Sequence, residues 1–383
     1  MKVALVHDYI KEYGGAERVL EAFHDLWPEA PVYTTVYLPE FLGPHRKRFD
    51  GWDIRTSKLQ HVWGAGKLIS PFRVLSPWYF DNIDFRGYDL IITSATGAYF
   101  PNLILRQPEG FHICYCHTPP RYLYGYPTAR NWSKNSLGKG LALLINHELR
   151  KWDYVSYQRP DAIIANSHEV QKRIEKFYRR DATVIYPPVD LIDRMNSKSS
   201  RKTQKLSAKT GVNDYFITGG RLARSKHIDL IIEVCNKMKL PLKIFGRSFA
   251  GYGEELQRIA GPTVEFMGEV GDQKLIELYR GAKALLYASE YEDFGIIPVE
   301  AQGCGIPVIG PYQGGVKETM IADKTGVFFH RFEVGSIVMA LNKFNTLKIK
   351  PEDCMANARR FSNERFKKEI KNFVSSKLRS QIH

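Results

Sequence analysis

Glu292 and Glu300 stand with seven residues between them in Glu290-Tyr291-Glu292-Asp293-Phe294-Gly295-Ile296-Ile297-Pro298-Val299-Glu300. Carboxylates so placed accept hydrogen bonds from sugar and ribose hydroxyls. Pro298 suits the first turn of a helix, where its missing N–H is no loss. The amides around Phe294, Gly295, Ile296 and Ile297 would crown that helix and could meet a phosphate. The plainer alternative makes Glu300 a partner of the helix dipole and Glu292 a solvated loop acid.

A second stretch, Gly219-Gly220-Arg221-Leu222 followed by Lys226, offers glycines and two cations ahead of a helical pattern at Leu230, Ile231 and Val234. That combination could clamp a diphosphate, Arg221 through paired donors and Lys226 as a point charge. Solvated loop charge is the alternative. Near the start, Gly14-Gly15-Ala16-Glu17 precedes Val19, Leu20 and Phe23. Two glycines before a helix let amides approach a phosphate, or serve only as a packed turn. His117 opens His117-Thr118-Pro119-Pro120-Arg121-Tyr122 at the end of an apolar run, where ligands bind in open α/β sheets. A structural histidine is the competing reading.

These residues need strands to hold them. Apolar runs at Val3–Val6, Leu90–Thr93, His112–Tyr115, Ala162–Ala165 and Thr183–Ile185 alternate with helical patterns, as in βαβ units around a parallel sheet. The pattern restarts at Tyr215–Thr218, Leu242–Phe245, Val264–Met267, Ala284–Tyr287 and Pro307–Ile309. Between the two series lies a polar, basic stretch after Pro187-Pro188. The fold class is therefore α/β, with two doubly wound, Rossmann-like domains: residues 1–195, a linker at 196–209, and 210–361. A basic segment, Pro351–Ser376, carries Phe361, Phe366, Ile370, Phe373 and Val374 at helical spacing.

Composition narrows the partners. A net charge of +14 over 383 residues calls for nucleic acid, acidic lipid or a phosphorylated small molecule. The absence of a recognised nucleic-acid module argues against the first. No Gly-x-Gly-x-x-Gly follows a strand and no Gly-x-x-x-x-Gly-Lys-Ser/Thr occurs, which weakens dehydrogenase and P-loop readings. No Asp-x-Asp occurs, so no metal site and no cofactor are expected. Five scattered cysteines without a Cys-x-x-Cys pair read as reduced packing residues. No apolar run approaches bilayer length, and the N-terminus enters a strand at once, so cytoplasmic residence is expected.

The order of these motifs along nearly the whole chain resembles glycosyltransferase family four, of the two-domain GT-B architecture. The resemblance also takes in Ala301-Gln302-Gly303-Cys304-Gly305-Ile306-Pro307-Val308 and Gly314-Gly315. It implies two domains facing across a cleft, with the terminal helix, 362–383, packing back onto the first. It assigns a nucleotide diphosphate sugar, as substrate, to Gly14, Gly15, Gly220, Arg221, Lys226, Gly268, Val270, Glu292, Phe294, Gly295, Ile296 and Glu300. Arg221 and Lys226 would contact the diphosphate, Glu300 the ribose, and Glu292 the transferred sugar. His117 would polarise or position that sugar.

Retention of anomeric configuration without a protein nucleophile is implied as well. Gly14–Glu17 with His117–Tyr122 looks most like mannosyltransferases of bacterial O-antigen and polysaccharide assembly. This implies GDP-mannose as donor and a lipid-linked glycan as acceptor near Arg121 and Tyr122. A UDP-sugar donor is the alternative within the family; a sugar-nucleotide epimerase or a nucleic-acid-binding protein is the alternative outside it. His61, Trp63, Lys67, Phe72, Arg73, Trp78, Tyr79 and the segment Lys139–Arg159 could rest on anionic lipid, making the protein peripheral on the inner face of the cytoplasmic membrane.

Overall fold

The computed structural model describes residues 1–127, 136–189 and 215–381. The expected linker at 196–209 lies outside the described residues. Residues 1–126, 136–188 and 363–381 form one compact unit, and residues 127, 189 and 215–362 the other.

The first unit contains β1 (Val3–His7), α1 (Gly15–Leu26), β2 (Val32–Thr34), β3 (Ile54–Thr56), β4 (Leu90–Ala95), β5 (Phe111–Cys116), α2 (Ser136–Gln158), β6 (Ala162–Ala165), α3 (His168–Tyr178) and β7 (Thr183–Val184). Its seven strands run in the order β3-β2-β1-β4-β5-β6-β7, and every pairing is parallel. A parallel sheet is covered on both faces, so its strands are continuous apolar runs. All residues of β1, β4, β5 and β6 are accordingly buried. Helix α1 lays Val19, Leu20, Ala22 and Phe23 onto one face of this sheet, each side chain the size of Val, Leu or Phe stabilising by about 1.5–3 kcal/mol.

The second unit contains β8 (Tyr215–Gly219), α4 (Ile228–Met238), β9 (Leu242–Phe245), α5 (Tyr252–Ile259), β10 (Val264–Gly268), α6 (Asp272–Arg280), β11 (Ala282–Leu286), α7 (Ile296–Gly303), β12 (Val308–Pro311), β13 (Gly326–Phe329), α8 (Val334–Thr346) and α9 (Pro351–Arg359). Its sheet is again all parallel, in the order β10-β9-β8-β11-β12-β13. Each sheet starts in the middle and winds outward in both directions. The reversal falls between β1 and β4 in one unit and between β8 and β11 in the other. Both sheets thus have the doubly wound topology, with a switch point at which ligands bind beyond the carboxyl ends of the strands.

Where one terminal helical segment was expected, the structure has two. Helix α9 ends at Arg359, and α10 (Asn363–Gln381) begins three residues after Arg360. Phe361, in the break, packs edge-on against Phe294 of the second unit, their ring centroids 5.3 Å apart. The chain then enters the first unit. There Phe366 meets Phe23 and Tyr115, and Lys367 donates to Asp25 at 2.7 Å. All five cysteines are free and four are buried. Among the described residues, no helix is long and apolar enough to cross a membrane.

Candidate functional site

In the second unit the expected residues converge on the switch point. Arg221 and Lys226 follow β8, and Glu292 follows its neighbour β11. Lys226 Nζ donates to Glu292 Oε2 at 2.5 Å. The same oxygen accepts from Tyr287 Oη at 2.7 Å and from Ser289 Oγ. Two loops are thereby tied together, a link reinforced by the Glu290 amide on the Ser225 carbonyl and by His227 near the Glu290 carboxylate. A half-buried ion pair with further donors on the carboxylate holds its geometry better than an exposed one.

Helix α7 begins at Ile296 behind Gly295, with Pro298 in its first turn. A Cβ on Gly220 would lie 2.5 Å from Ile297 Cδ1, so the loop after β8 runs beside the start of α7. Backbone donors at a helix N-terminus, glycine backbone and Lys226 are thus assembled in one place, with the exposed Arg221 on the same loop. Such a group can neutralise a diphosphate without a metal ion. Glu300 lies on α7 and is buried, and Tyr279 Oη donates to it at 3.4 Å.

The loop after β9 completes this end of the sheet. Gly246 has φ +121°, and a Cβ there would fall 1.8 Å from the Gly220 carbonyl oxygen, so only glycine fits. Its amide donates to the carbonyl of Gly268, at the end of β10, at 2.7 Å. Val270 follows on the same connection and is half-buried.

In the first unit, β1, β4 and β5 carry a buried polar row. Ser94 Oγ lies 3.0 Å from His7 Nδ1 and 2.9 Å from His117 Nε2. Burial, with His7 adding to it, pushes the His117 imidazole down to about 3, so it is neutral at ordinary pH. Its carbonyl accepts from Asn166 Nδ2 at 2.8 Å. Asp8, fully buried and raised by desolvation, accepts on Oδ2 from the amides of Thr96, Ala98 and Tyr99 and from Thr96 Oγ1. It latches the loop after β4, which abuts the segment following His117: a Cβ on Gly97 would lie 2.6 Å from the Thr118 carbonyl oxygen.

Two of the expected site residues have local contacts of their own. The amide of Gly14 donates to Glu17 Oε2 at 2.8 Å, so that donor is taken up at the start of α1. Gly15 keeps its place as the first residue of α1. Tyr122 turns inward. Its hydroxyl is buried and its ring lies under the Arg73 guanidinium at 3.6 Å, so the residue packs the unit and its hydroxyl does not face an acceptor. Arg121 is half-buried beside it.

The residues suggested for lipid contact divide in the same way. Trp63 is 97% exposed and Trp78 74%, with Val62, Val74 and Leu75 also exposed. Phe72 is buried, and Tyr79 donates to the Thr34 carbonyl. Helix α2 adds exposed Leu143, Leu144 and Trp152.

Tyr287, Ser289, Gly246, His7, Ser94 and Asp8 were not foreseen as site residues. Strand-end position was the signal available for most of them.

Residues 13–192 match the family model described as Glycosyltransferase Family 4, and residues 200–361 that of Glycosyl transferases group 1. The chain belongs to the family 4 glycosyltransferases. Relatives include a D-inositol 3-phosphate glycosyltransferase of Corynebacterium jeikeium, 28% identical over a 208-residue alignment that covers 48% of each chain. An alpha-1,3/1,6-mannosyltransferase, ALG2, of Candida glabrata is 24% identical over 252 residues, 55% of this chain and 52% of that one. The chain spans about half the length of the curated relatives it matches. HepE of Anabaena, solved in complex with UDP, is 20% identical and superposes with a TM-score of 0.67 over 98% of this family 4 chain and 100% of its own. That likeness shows the GT-B fold.

Proposed function

We propose that the protein transfers a hexose, mannose from GDP-mannose, to a lipid-linked glycan in cell-surface polysaccharide synthesis, with retention of configuration. The observation that carries the reading is the Lys226–Glu292 pair set beside the start of α7 at the switch point of the second sheet. Arg221, Lys226 and the amides of Phe294, Gly295 and Ile296 hold the diphosphate. Glu300 takes the ribose and the backbone at Gly268 and Val270 the base. Gly15 lies near the phosphate. Glu292 and His117 orient the transferred sugar. The bond from the anomeric carbon to the diphosphate oxygen breaks as the bond to the acceptor oxygen forms on the same face. The acceptor's proton passes to the departing phosphate oxygen, and cationic side chains stabilise the charge that develops there.

The mannosyltransferase among the relatives supports the donor assignment. A UDP-sugar donor is favoured instead by HepE, also solved with UDP-glucose. A thermal-shift panel in metal-free buffer separates the two. Stabilisation by GDP-mannose and GDP is expected; stabilisation by UDP-glucose and UDP alone would replace the donor, and none by any nucleotide would remove the transferase reading.

The acceptor assignment includes a lipid surface at the cytoplasmic face of the membrane. Trp63 and Trp78, exposed on a unit of a basic chain, are assigned to it. Cosedimentation with anionic phosphatidylglycerol vesicles is expected to be salt-sensitive and to fall severalfold in Trp63→Ala/Trp78→Ala. Sedimentation with neutral vesicles alone, or no change in the double variant, would sink this assignment.

A further inference from the structure

His7, Ser94 and Tyr115 are in register across three neighbouring parallel strands, and His117 lies two residues beyond Tyr115 on the same side of the sheet. Around them the face is apolar, formed by Leu5, Ile92, Ile113 and Phe366. A polar row in such surroundings has few ways to arrange its protons, and Ser94 decides among them. Its hydroxyl carries one proton and sits between two imidazole nitrogens at 3.0 and 2.9 Å, so it donates to one and accepts from the other.

Glu17 breaks the tie. Its Oε1 lies 3.7 Å from His7 Nε2, while its Oε2 is held by the Gly14 amide. An imidazole that carries a single proton keeps it on Nε2 here, because a lone pair on that nitrogen would face the carboxylate. His7 Nδ1 is then an acceptor, Ser94 donates to it, and the Ser94 oxygen accepts from His117 Nε2–H. Among the described residues, no hydrogen bond occupies His117 Nδ1, which remains an acceptor.

We propose that Ser94, oriented by His7 and Glu17, is a positioning residue that fixes the tautomer of His117, so that His117 presents Nδ1 as an acceptor for a hydroxyl of the transferred sugar. The sugar in this statement rests on the function proposed above; the tautomer does not. His117 therefore receives a hydrogen bond from the sugar and does not give one, and a donor analogue whose hydroxyl is replaced by fluorine loses that contact. The same row explains why Glu17 matters beyond its helix: one carboxylate caps α1 and sets the proton order of the row that ends at His117.

The test uses the full chain labelled with 15N-histidine, with one-bond and long-range nitrogen–proton correlations recorded at pH 8. His117 is expected to be a single tautomer protonated at Nε2. Ser94→Thr keeps the hydroxyl and should keep that pattern, whereas Ser94→Val, which matches Thr in volume but lacks the hydroxyl, should give a mixture. A wild-type His117 protonated at Nδ1, or the same pattern in Ser94→Val as in wild type, would overturn the tautomer assignment without reference to any donor. For the sugar contact, GDP release from GDP-mannose should fall about tenfold in Ser94→Val with little change in KM, the cost of one lost neutral hydrogen bond. Unchanged release beside an altered tautomer would overturn that part alone.

Discussion

Lys226→Ala is expected to slow turnover of the sugar nucleotide by about two to three orders of magnitude, the usual cost of removing one preorganised charge-stabilising group. Two losses combine. The departing diphosphate loses a cation, and Glu292 keeps Tyr287 and Ser289 but loses the ammonium held at 2.5 Å. A half-buried carboxylate without its counter-ion moves toward solvent or takes up a proton, and in either case its hold on the sugar weakens. Lys226→Arg should recover little, because a planar guanidinium does not fit the place of a compact ammonium held by Glu292 Oε2 and Tyr287 Oη. Steady-state kinetics should show the loss mainly in kcat. A rise in KM alone would mean that Lys226 binds donor and transition state equally.

Gly315→Ala carries the second large effect, through packing. A Cβ at this position would stand 2.4 Å from the Asp293 carbonyl oxygen and 2.5 Å from Phe294 Cα. Both are backbone atoms and cannot swing aside, so the loop bearing Glu292 must move. The Gly315 amide also donates to the Glu292 carbonyl at 2.8 Å, and that bond would stretch. The expected outcome is a loss of about 3 kcal/mol in stability, typical of overpacking, with donor affinity falling more than the fold does. Gly335→Ala is the control. It lies in α8 with nothing within 4 Å of the added Cβ, and should stabilise by about 0.5–1 kcal/mol. Denaturant melts and calorimetric titration of GDP-mannose measure the two quantities separately. Equal stability of Gly315→Ala and wild type would contradict the packing argument.

The sheets were legible in the sequence because parallel strands, buried on both faces, leave unbroken apolar runs. Strands β2, β3 and β13 left no such mark: β2 and β3 are three residues long and β3 is only partly buried, while β13 begins with glycine. The end of the chain was read as one helix because Phe361 falls in phase with Phe366, although it packs in a different unit. In the site, residue types were readable and partnerships were not. Lys226 and Glu292 are 66 residues apart, and only the adjacency of β8 and β11 brings them together. The same holds for Ser94 between His7 and His117. Gly14 and Tyr122 have local contacts, with Glu17 and Arg73, that residue type alone did not show.

The central claim is that Arg221, Lys226, Glu292 and the start of α7 in the second unit hold the diphosphate of the donor. Hydrogen exchange followed by mass spectrometry, with and without GDP-mannose in metal-free buffer, tests it most directly. The account predicts slowed exchange in peptides covering 219–226, 267–270 and 290–300, and loss of that slowing in Lys226→Ala. Protection that avoids these three segments while GDP-mannose remains bound would contradict it.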